Sequence, residues 1–519
     1  MARFGTLLPA LALAAATFVS LVAGGCSGKS NGVGLAGAEN AATGDAGEVF
    51  GIVGDDDSGS GSGSGGYSSG GFMSTAPGST PVNCPPSEGL SCYVSTCANG
   101  KHTTLTGHVY DPAGKNPLYN VVVFVPNDPN ALPAIETGTK TCNTCNTPIG
   151  NYVTVALTDQ NGAFTLTDVP TGKNVPLVLQ VGKWRRTITV ANIADCATTA
   201  VPESGPGQAR LPATQAEGSM PKMALLTGGQ DDLGCFMTRM GIASSEYSAP
   251  GGTGRLAIYQ GLNVAGVNGP ALSTGTAGNC TNTSCPLWQS TQSLEAYDIV
   301  LLACEGGPMD PDAPGGFGGN GANVTKPAKQ AMHDWLNEGG KVFATHFHYT
   351  WFQYGPSDFQ TVATWLGSSI ALGVNGTGTI DTSFTKGKEF GQWLKTVGAT
   401  TGTTVALQGV GTSVSSVNTA TTQRWIYDSG NSDTKYMSFE TPIGGLAVDG
   451  GETGTKEYCG KAVFTDLHAG GAPLGDVPGA CKQTDLSAQE KALEFLFFDL
   501  SACVTDDSKP PPLPTQPPK

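Results

Sequence analysis

The sequence predicts a multidomain protein in which a β-sandwich is followed by an α/β domain with a doubly wound parallel sheet of the flavodoxin-like kind. Two observations predict the folded domains. Short β-branched segments separated by turn clusters fill residues 100–196, and apolar strands alternate with amphipathic helices over residues 221–503. A third observation concerns the ends. Residues 26–82 are rich in Gly and Ser and residues 504–519 in Pro, so we expect a disordered tether and a proline-rich tail.

Composition excludes several classes of protein. The 519 residues include 27 Lys plus Arg and 42 Asp plus Glu, which gives a formal net charge of −15 with neutral histidines. A nucleic-acid partner is not expected, because no basic face could easily outweigh that charge. The 74 glycines and 34 prolines exclude a long coiled coil or a wholly helical bundle.

The N-terminus has the pattern of an export signal. One arginine precedes a long apolar run, and small residues then lead to Cys26, so we expect a signal peptide over residues 1–25. The ending Val22-Ala23-Gly24-Gly25-Cys26 resembles the lipobox of bacterial lipoproteins. That resemblance implies a lipid on Cys26, with the membrane as a partner. The alternative is an ordinary signal peptide cleaved near Gly25.

The resemblance to lipoproteins also implies a location. The mature chain would be exported and anchored by lipid to the cell envelope, with residues 26–82 as a flexible linker. Ser27 is not the aspartate that retains some bacterial lipoproteins at the inner membrane, so the resemblance favours the outer membrane.

Export permits disulfides. Of 14 cysteines, a lipidated Cys26 leaves an odd number, so at least one thiol should be free. Cys304 ends an apolar strand pattern and is the expected free thiol. Cys142 and Cys145 have the spacing of a redox or zinc pair, but no second such pair completes a metal site, so we expect both in disulfides.

The first folded domain resembles a known accessory module. The segments Leu105–Gly114, Thr158–Phe164 and Val169–Gly172 are similar to the carboxypeptidase regulatory-like domain, a transthyretin-like sandwich. The resemblance implies a spacer, or a contact with glycan or protein, and no catalytic role.

The second folded domain is predicted from its alternating pattern. Apolar strands are expected at 223–228, 255–261, 297–304, 341–345 and 461–466, with a less regular β-leaning stretch over 370–458. Helices are expected to begin after Asp231 or Asp232, at Thr325, and at Ser487, where Glu490 completes a capping box.

Polar side chains follow several of these strands. Parallel sheets bind ligands beyond the carboxyl ends of their strands, so these side chains are the expected site. The residues expected to contact a ligand are Asp231, Asp232, Glu305 and His348, and those expected to carry chemistry are His346, His468 and Asp466. His348 could instead hold a site residue in position without contacting the ligand, or it could pack with Trp351.

Short motifs in this region resemble the class I glutamine amidotransferase-like superfamily, in particular its trehalose-utilisation-type branch. They are Tyr297–Leu302, Gly339–His346 and Phe464–His468. In that superfamily a cysteine occupies the turn after a strand, and a later histidine partners it. Here His346 stands at the cysteine position, so a functional glutamine amidotransferase is not expected, because imidazole does not replace a thiolate nucleophile.

Two hypotheses for function remain open. Under a third, structural hypothesis, location at the envelope is sufficient for function and both histidines are dispensable. The favoured one is a cell-envelope binding or scaffold protein whose ligand is a glycan or an envelope protein. The alternative is a carbohydrate-processing enzyme, either histidine-based or dependent on a divalent metal. In the metal-dependent case, His346, His468 and Asp232 are the expected ligands.

Overall fold

Strands dominate the computed structural model. It describes residues 84–139, 142, 149–262, 268–313, 323–366, 373–447, 456–471 and 473–515, which belong to one compact unit. The expected signal peptide, Cys26, the whole linker and Cys145 lie outside these residues. No helix in the described part is both long enough and apolar enough to cross a bilayer.

The first seven strands form two sheets. They are β1 (Thr104–His108), β2 (Val122–Pro126), β3 (Tyr152–Leu157), β4 (Ala163–Thr167), β5 (Gly172–Val181), β6 (Trp184–Ile193) and β7 (Thr198–Ala200). One sheet has the order β4-β1-β7 and the other the order β3-β2-β5-β6. Leu105 of β1 and Leu179 of β5 are buried in the same apolar cluster. The prediction of a strand-rich first region is confirmed.

The remaining strands begin after residue 220. They are β8 (Met223–Thr227), β9 (Tyr247–Ser248), β10 (Leu256–Gln260), β11 (Gly278–Asn279), β12 (Ile299–Leu302), β13 (Lys341–Thr345), β14 (Ala363–Trp365), β15 (Val374–Ile380), β16 (Thr404–Val410), β17 (Val414–Val417), β18 (Thr422–Asp428), β19 (Thr434–Thr441), β20 (Leu446–Ala447), β21 (Lys456–Glu457) and β22 (Gly460–Thr465). All except the β20–β21 pair join one sheet, whose main order is β11-β10-β8-β12-β13-β22-β19-β18-β15-β16.

Helices are few by comparison. The α-helices are α1 (Leu233–Arg239), α2 (Thr291–Glu295), α3 (Lys326–Asn337), α4 (Thr350–Gln353), α5 (Ser357–Gln360), α6 (Thr385–Thr396) and α7 (Ala488–Ser501). Asp232, Thr325 and Ser487 cap α1, α3 and α7 with their side chains, and Glu490 completes the expected capping box. Side-chain caps satisfy backbone N–H groups that the first helical turn leaves without partners.

The large sheet is parallel in one half and antiparallel in the other. Strands β10, β8, β12, β13 and β22 run parallel, whereas β22, β19, β18, β15 and β16 pair antiparallel. The flavodoxin-like arrangement is therefore not confirmed. The β-leaning stretch extends the sheet as antiparallel strands, and β16 alternates exposed with buried residues as a half-solvated strand does.

Both faces of the parallel half are covered. Leu225 of β8 lies in one apolar cluster with Phe495 of α7, and its neighbour Leu226 lies in a second cluster with Trp335 of α3. Successive strand residues point to opposite faces, so near-continuous apolar strands require this double covering.

Five disulfides join described cysteines: Cys84–Cys92, Cys97–Cys196, Cys142–Cys459, Cys235–Cys481 and Cys280–Cys285. Cys503 is also disulfide-bonded. Among the described residues Cys304 is a free, buried thiol, which confirms that prediction.

A buried ion network joins α6 and β22 to Asp499 of α7 and to Asp507. Lys386 Nζ lies 2.9 Å from Asp499 Oδ1 and 2.7 Å from Asp507 Oδ1. Lys461 Nζ lies 2.6 Å from Asp499 Oδ2 and 2.7 Å from Asp507 Oδ1. Asp507 belongs to the expected proline-rich tail over residues 504–519, yet it is only 3% exposed, because ion pairing inside the core holds this part of the tail.

A pair of acidic side chains links the first region to α7. The buried carboxyls of Asp111 and Glu494 interact electrostatically with each other, and Asn116 Nδ2 donates to Glu494 Oε2 at 2.7 Å. Burial raises the pKa of Asp111 to about 6, and burial together with the charge of Asp111 raises the pKa of Glu494 well above its usual range. Two buried carboxylates would repel each other, so the pair holds a proton at neutral pH.

This pair predicts a pH-dependent stability. A carboxyl whose pKa is raised by folding stabilises the fold below its unfolded pKa, and that contribution is lost as pH rises through the folded value. We expect Glu494→Gln to reduce the loss in free energy of unfolding between about pH 5 and about pH 8 by at least about 1 kcal/mol. Urea unfolding at the two pH values measures this change in the free energy of unfolding. Glu136→Gln, an exposed control, should behave as wild type. An unchanged pH slope in Glu494→Gln contradicts the assignment.

Candidate functional site

Three neighbouring parallel strands end at the same edge of the large sheet. Leu302 of β12 is in register with Ala344 of β13, and Thr345 of β13 is in register with Thr465 of β22. The residues that follow these strands are Cys304, His346 and His468. Because parallel strands share one direction, their carboxyl ends bring these three side chains together.

His346 occupies a strained turn. Its φ of 40° is in the left-handed region, which residues with a Cβ rarely adopt, and the chain passes directly from β13 into a 3-10 helix over His346–Tyr349. Gly411 packs against the imidazole so closely that a Cβ there would lie 2.3 Å from His346 Cδ2. A side chain at 411 would therefore displace the ring.

The three side chains form a compact, enclosed cluster. Cys304 Sγ lies 3.5 Å from His346 Nδ1, and the rings of His346 and His468 have centroids 5.1 Å apart. One potential ligand atom from each residue lies within 4.8 Å of the other two. Cys304 is 0% exposed, His346 1% and His468 7%.

Two nitrogens of this cluster have no partner among the described residues. They are Nε2 of His346 and Nε2 of His468, both buried. His468 Nδ1 lies 2.6 Å from the carbonyl oxygen of Gly409. A carbonyl can only accept, so Nδ1 carries the proton and Nε2 presents a lone pair. Buried polar atoms are nearly always paired, so these two require an explanation.

Burial keeps both histidines neutral. It lowers the pKa of His346 well below its usual range, aided by the nearby charge that His468 would carry, and it lowers the pKa of His468. Neutral imidazole is the form that ligates metals.

The carboxylates predicted for the site are held by other groups. Asp466 accepts bonds from Ser413 N at 2.7 Å and Ser413 Oγ at 2.6 Å, and burial raises the pKa of Asp466 to about 6. Asp231 Oδ1 accepts from Ala469 N at 2.6 Å, while Oδ2 is buried without a hydrogen-bond partner among the described residues. Burial raises the pKa of Asp231 to about 7.

Three further predicted residues have structural contacts of their own. Asp232 caps α1 by accepting from Cys235 N, and no atom of it belongs to the cluster. Glu305 Oε1 accepts from Leu262 N at 2.7 Å, and burial raises the pKa of Glu305 to about 8. His348 uses both ring nitrogens: Nε2 donates to the carbonyl oxygen of Ala303 and Nδ1 accepts from Trp351 Nε1.

The structure thus brings His346 and His468 together with a thiol instead of Asp232. From the sequence, Cys304 is expected to be a free thiol at the end of a strand, but it is not among the residues named for the site. Its position after β12, at the same edge as both histidines, was the signal that could have placed it in the site. A set of two imidazoles and one thiolate suits zinc and other borderline transition metals.

Enclosure predicts that the Cys304 thiol is unreactive in the folded chain. Burial raises the pKa of this thiol above its usual range, and the thiolate is the reactive form. We expect iodoacetamide to leave Cys304 unmodified in native protein treated with EDTA, and to modify it fully in denaturant without reductant. Peptide mass spectrometry measures both. Rapid modification of the native, metal-free protein would show that the cluster is open.

Comparison with known proteins does not place the chain in a family. No family model matches it, and no curated protein matches it in sequence. Among solved structures, a 9R-lipoxygenase from Cyanothece PCC8801 overlaps with 21% of this chain and 19% of its own, at 17% identity and a TM-score of 0.11. A similarity this small carries no argument about fold or function.

Proposed function

We propose that this chain is an exported binding protein whose α/β domain holds one transition-metal ion, of the zinc class, through Cys304, His346 and His468. The observation that carries the proposal is the pair of buried, unpaired Nε2 atoms beside a buried free thiol. A bound cation would take one ring nitrogen from each histidine as a ligand and would displace the thiol proton.

The surroundings of the cluster suit this role. The bond from His468 Nδ1 to Gly409 fixes the ring and its tautomer, as the outer hydrogen bonds of metal-ligating histidines do. The Asp466 carboxyl is anchored by Ser413 close enough to interact electrostatically with His468. Three protein ligands leave a fourth coordination position for water or another ligand.

Enclosure favours binding over turnover. All three side chains are buried, and His468, the most exposed, is only 7% accessible. An ion could be retained there for long periods, whereas a sugar substrate would need an opening.

A second candidate function is carbohydrate processing. The left-handed backbone of His346 favours it, because strained residues at the carboxyl edge of a parallel sheet are frequent in active sites. In this case His346 and His468 would exchange protons with the substrate, and the Asp466 carboxylate would favour the protonated form of His468 electrostatically.

The cellular setting belongs to the same proposal. Five disulfides between described cysteines support an oxidising compartment, as expected for an exported chain. We propose that Cys26 carries a lipid that anchors the protein at the cell envelope, with the outer membrane favoured. We propose a glycan or an envelope protein as its partner. The first region would be the carboxypeptidase regulatory-like sandwich, and the second a degenerate amidotransferase-like domain.

Metal analysis tests the proposal. We expect the purified wild-type protein, loaded with Zn²⁺ and desalted, to retain about one equivalent, and His346→Ala/His468→Ala to retain almost none. The control is His102→Gln/His108→Gln, which removes two partly exposed imidazoles from the first region. It should retain as much metal as wild type.

A spectroscopic measurement identifies the third ligand. With Co²⁺ in place of Zn²⁺, wild type should show a thiolate-to-metal charge-transfer band that Cys304→Ser lacks, while circular dichroism shows that the variant is folded. Equal metal retention by wild type and the histidine variant, or none in either, contradicts the metal centre. Hydrolysis of an oligosaccharide that either histidine change abolishes would favour the second candidate.

A further inference from the structure

A cleft of about 480 Å³ lies at the end of β10 and β11, on the outer side of the parallel half of the sheet. Six of its lining residues carry an amide or a hydroxyl: Gln260, Asn268, Asn279, Thr281, Asn282 and Thr283. The other two described lining residues are Leu262 and Cys280, and none of the described lining side chains is charged. Small-molecule sites commonly have volumes of roughly 300–1,000 Å³.

The wall of the cleft is held in place by several bonds. Asn279 of β11 is in register with Gln260 of β10, and Cys280 N donates to the carbonyl oxygen of Gln260 at 3.1 Å. Cys280 is joined to Cys285 by a disulfide. On the far side, Asn323 Nδ2 donates to the carbonyl oxygen of Thr281 at 3.0 Å. A wall fixed in this way loses little conformational entropy when a ligand binds.

Three amides of the cleft are free to bind a ligand. Within the described part of the chain, no side-chain hydrogen bond engages the carboxamides of Asn268, Asn279 and Asn282, whereas Gln260 Nε2 donates to the carbonyl oxygen of Gly269 at 2.8 Å. Each free carboxamide offers two donors and one acceptor oxygen. Neighbouring hydroxyls of a sugar, which both donate and accept, match such groups.

We infer that this cleft binds a neutral carbohydrate. An anionic ligand would meet no cation among the lining side chains, and the chain as a whole carries a formal charge of −15. Among the described lining residues Leu262 is the one large aliphatic side chain, so this part of the wall offers an apolar ligand little surface. The amide and hydroxyl lining therefore selects an uncharged ligand rich in hydrogen-bonding groups.

Glu305 connects one wall of this cleft to the end of β12. Its carboxyl follows β12 and accepts from the backbone N–H of Leu262, which fixes one wall. Glu305 is therefore a positioning residue. The inference deepens the proposed binding role and rests on it, yet no lining residue belongs to the cluster of Cys304, His346 and His468.

Glycan binding by the full chain tests the inference. An array of neutral and acidic oligosaccharides identifies the preferred class, and calorimetry with maltotetraose, cellotetraose and chitotetraose measures affinity. We expect binding to at least one neutral glycan, weakened about tenfold or more by Asn279→Ala/Asn282→Ala, since each lost pair of hydrogen bonds weakens binding by about this factor. Asn130→Ala/Asn192→Ala removes two exposed amides of the first region and should leave affinity unchanged.

Several outcomes would overturn the inference. They are no binding to any neutral glycan, a preference for acidic glycans or for peptides, and equal binding by Asn279→Ala/Asn282→Ala and wild type. The variant His346→Ala/His468→Ala separates the two proposals. Failure of this variant to retain metal, with its glycan binding intact, supports both proposals, whereas a wild-type protein that retains metal but binds no neutral glycan overturns the cleft alone.

Discussion

The common direction of β12, β13 and β22 is the constraint on which the site depends. Each strand is buried on both faces, so its register is fixed by packing, and the residue that follows it is delivered to one edge. Cys304, His346 and His468 are distant in the chain but adjacent in space for this reason. The cleft at the end of β10 lies at the same edge, because β10 runs in the same direction.

Much of the parallel half could be predicted from local pattern. Apolar runs mark its strands, and the caps at Asp232, Thr325 and Ser487 mark its helices. The edge of the sheet that carries the histidines could be predicted from strand direction alone. The third member of the cluster, Cys304, could not be predicted. The sequence shows that Asp232 and Cys304 both follow strands, but it does not show which way each side chain points. Asp232 turns back to cap α1, and Cys304 turns toward His346.

Other parts required contacts between distant residues. The antiparallel half of the sheet is formed by pairing across turns and bulges, which short β-branched segments do not specify. Cys235 lies in the first turn of α1, where nothing local marks its bond to Cys481. Asp507 lies in a polar, proline-rich stretch of sequence, and its burial is explained by the lysines of α6 and β22. In each case the deciding partner lies far away in the chain.

The bond between Cys142 and Cys459 spans 317 residues and bears on how the protein is made. A ribosome releases Cys142 long before its partner exists, and the strands between them must be completed first. The Cys142–Cys459 bond can therefore form only after nearly the whole chain has been made, whereas the bond between Cys84 and Cys92 spans eight residues and needs no distant segment.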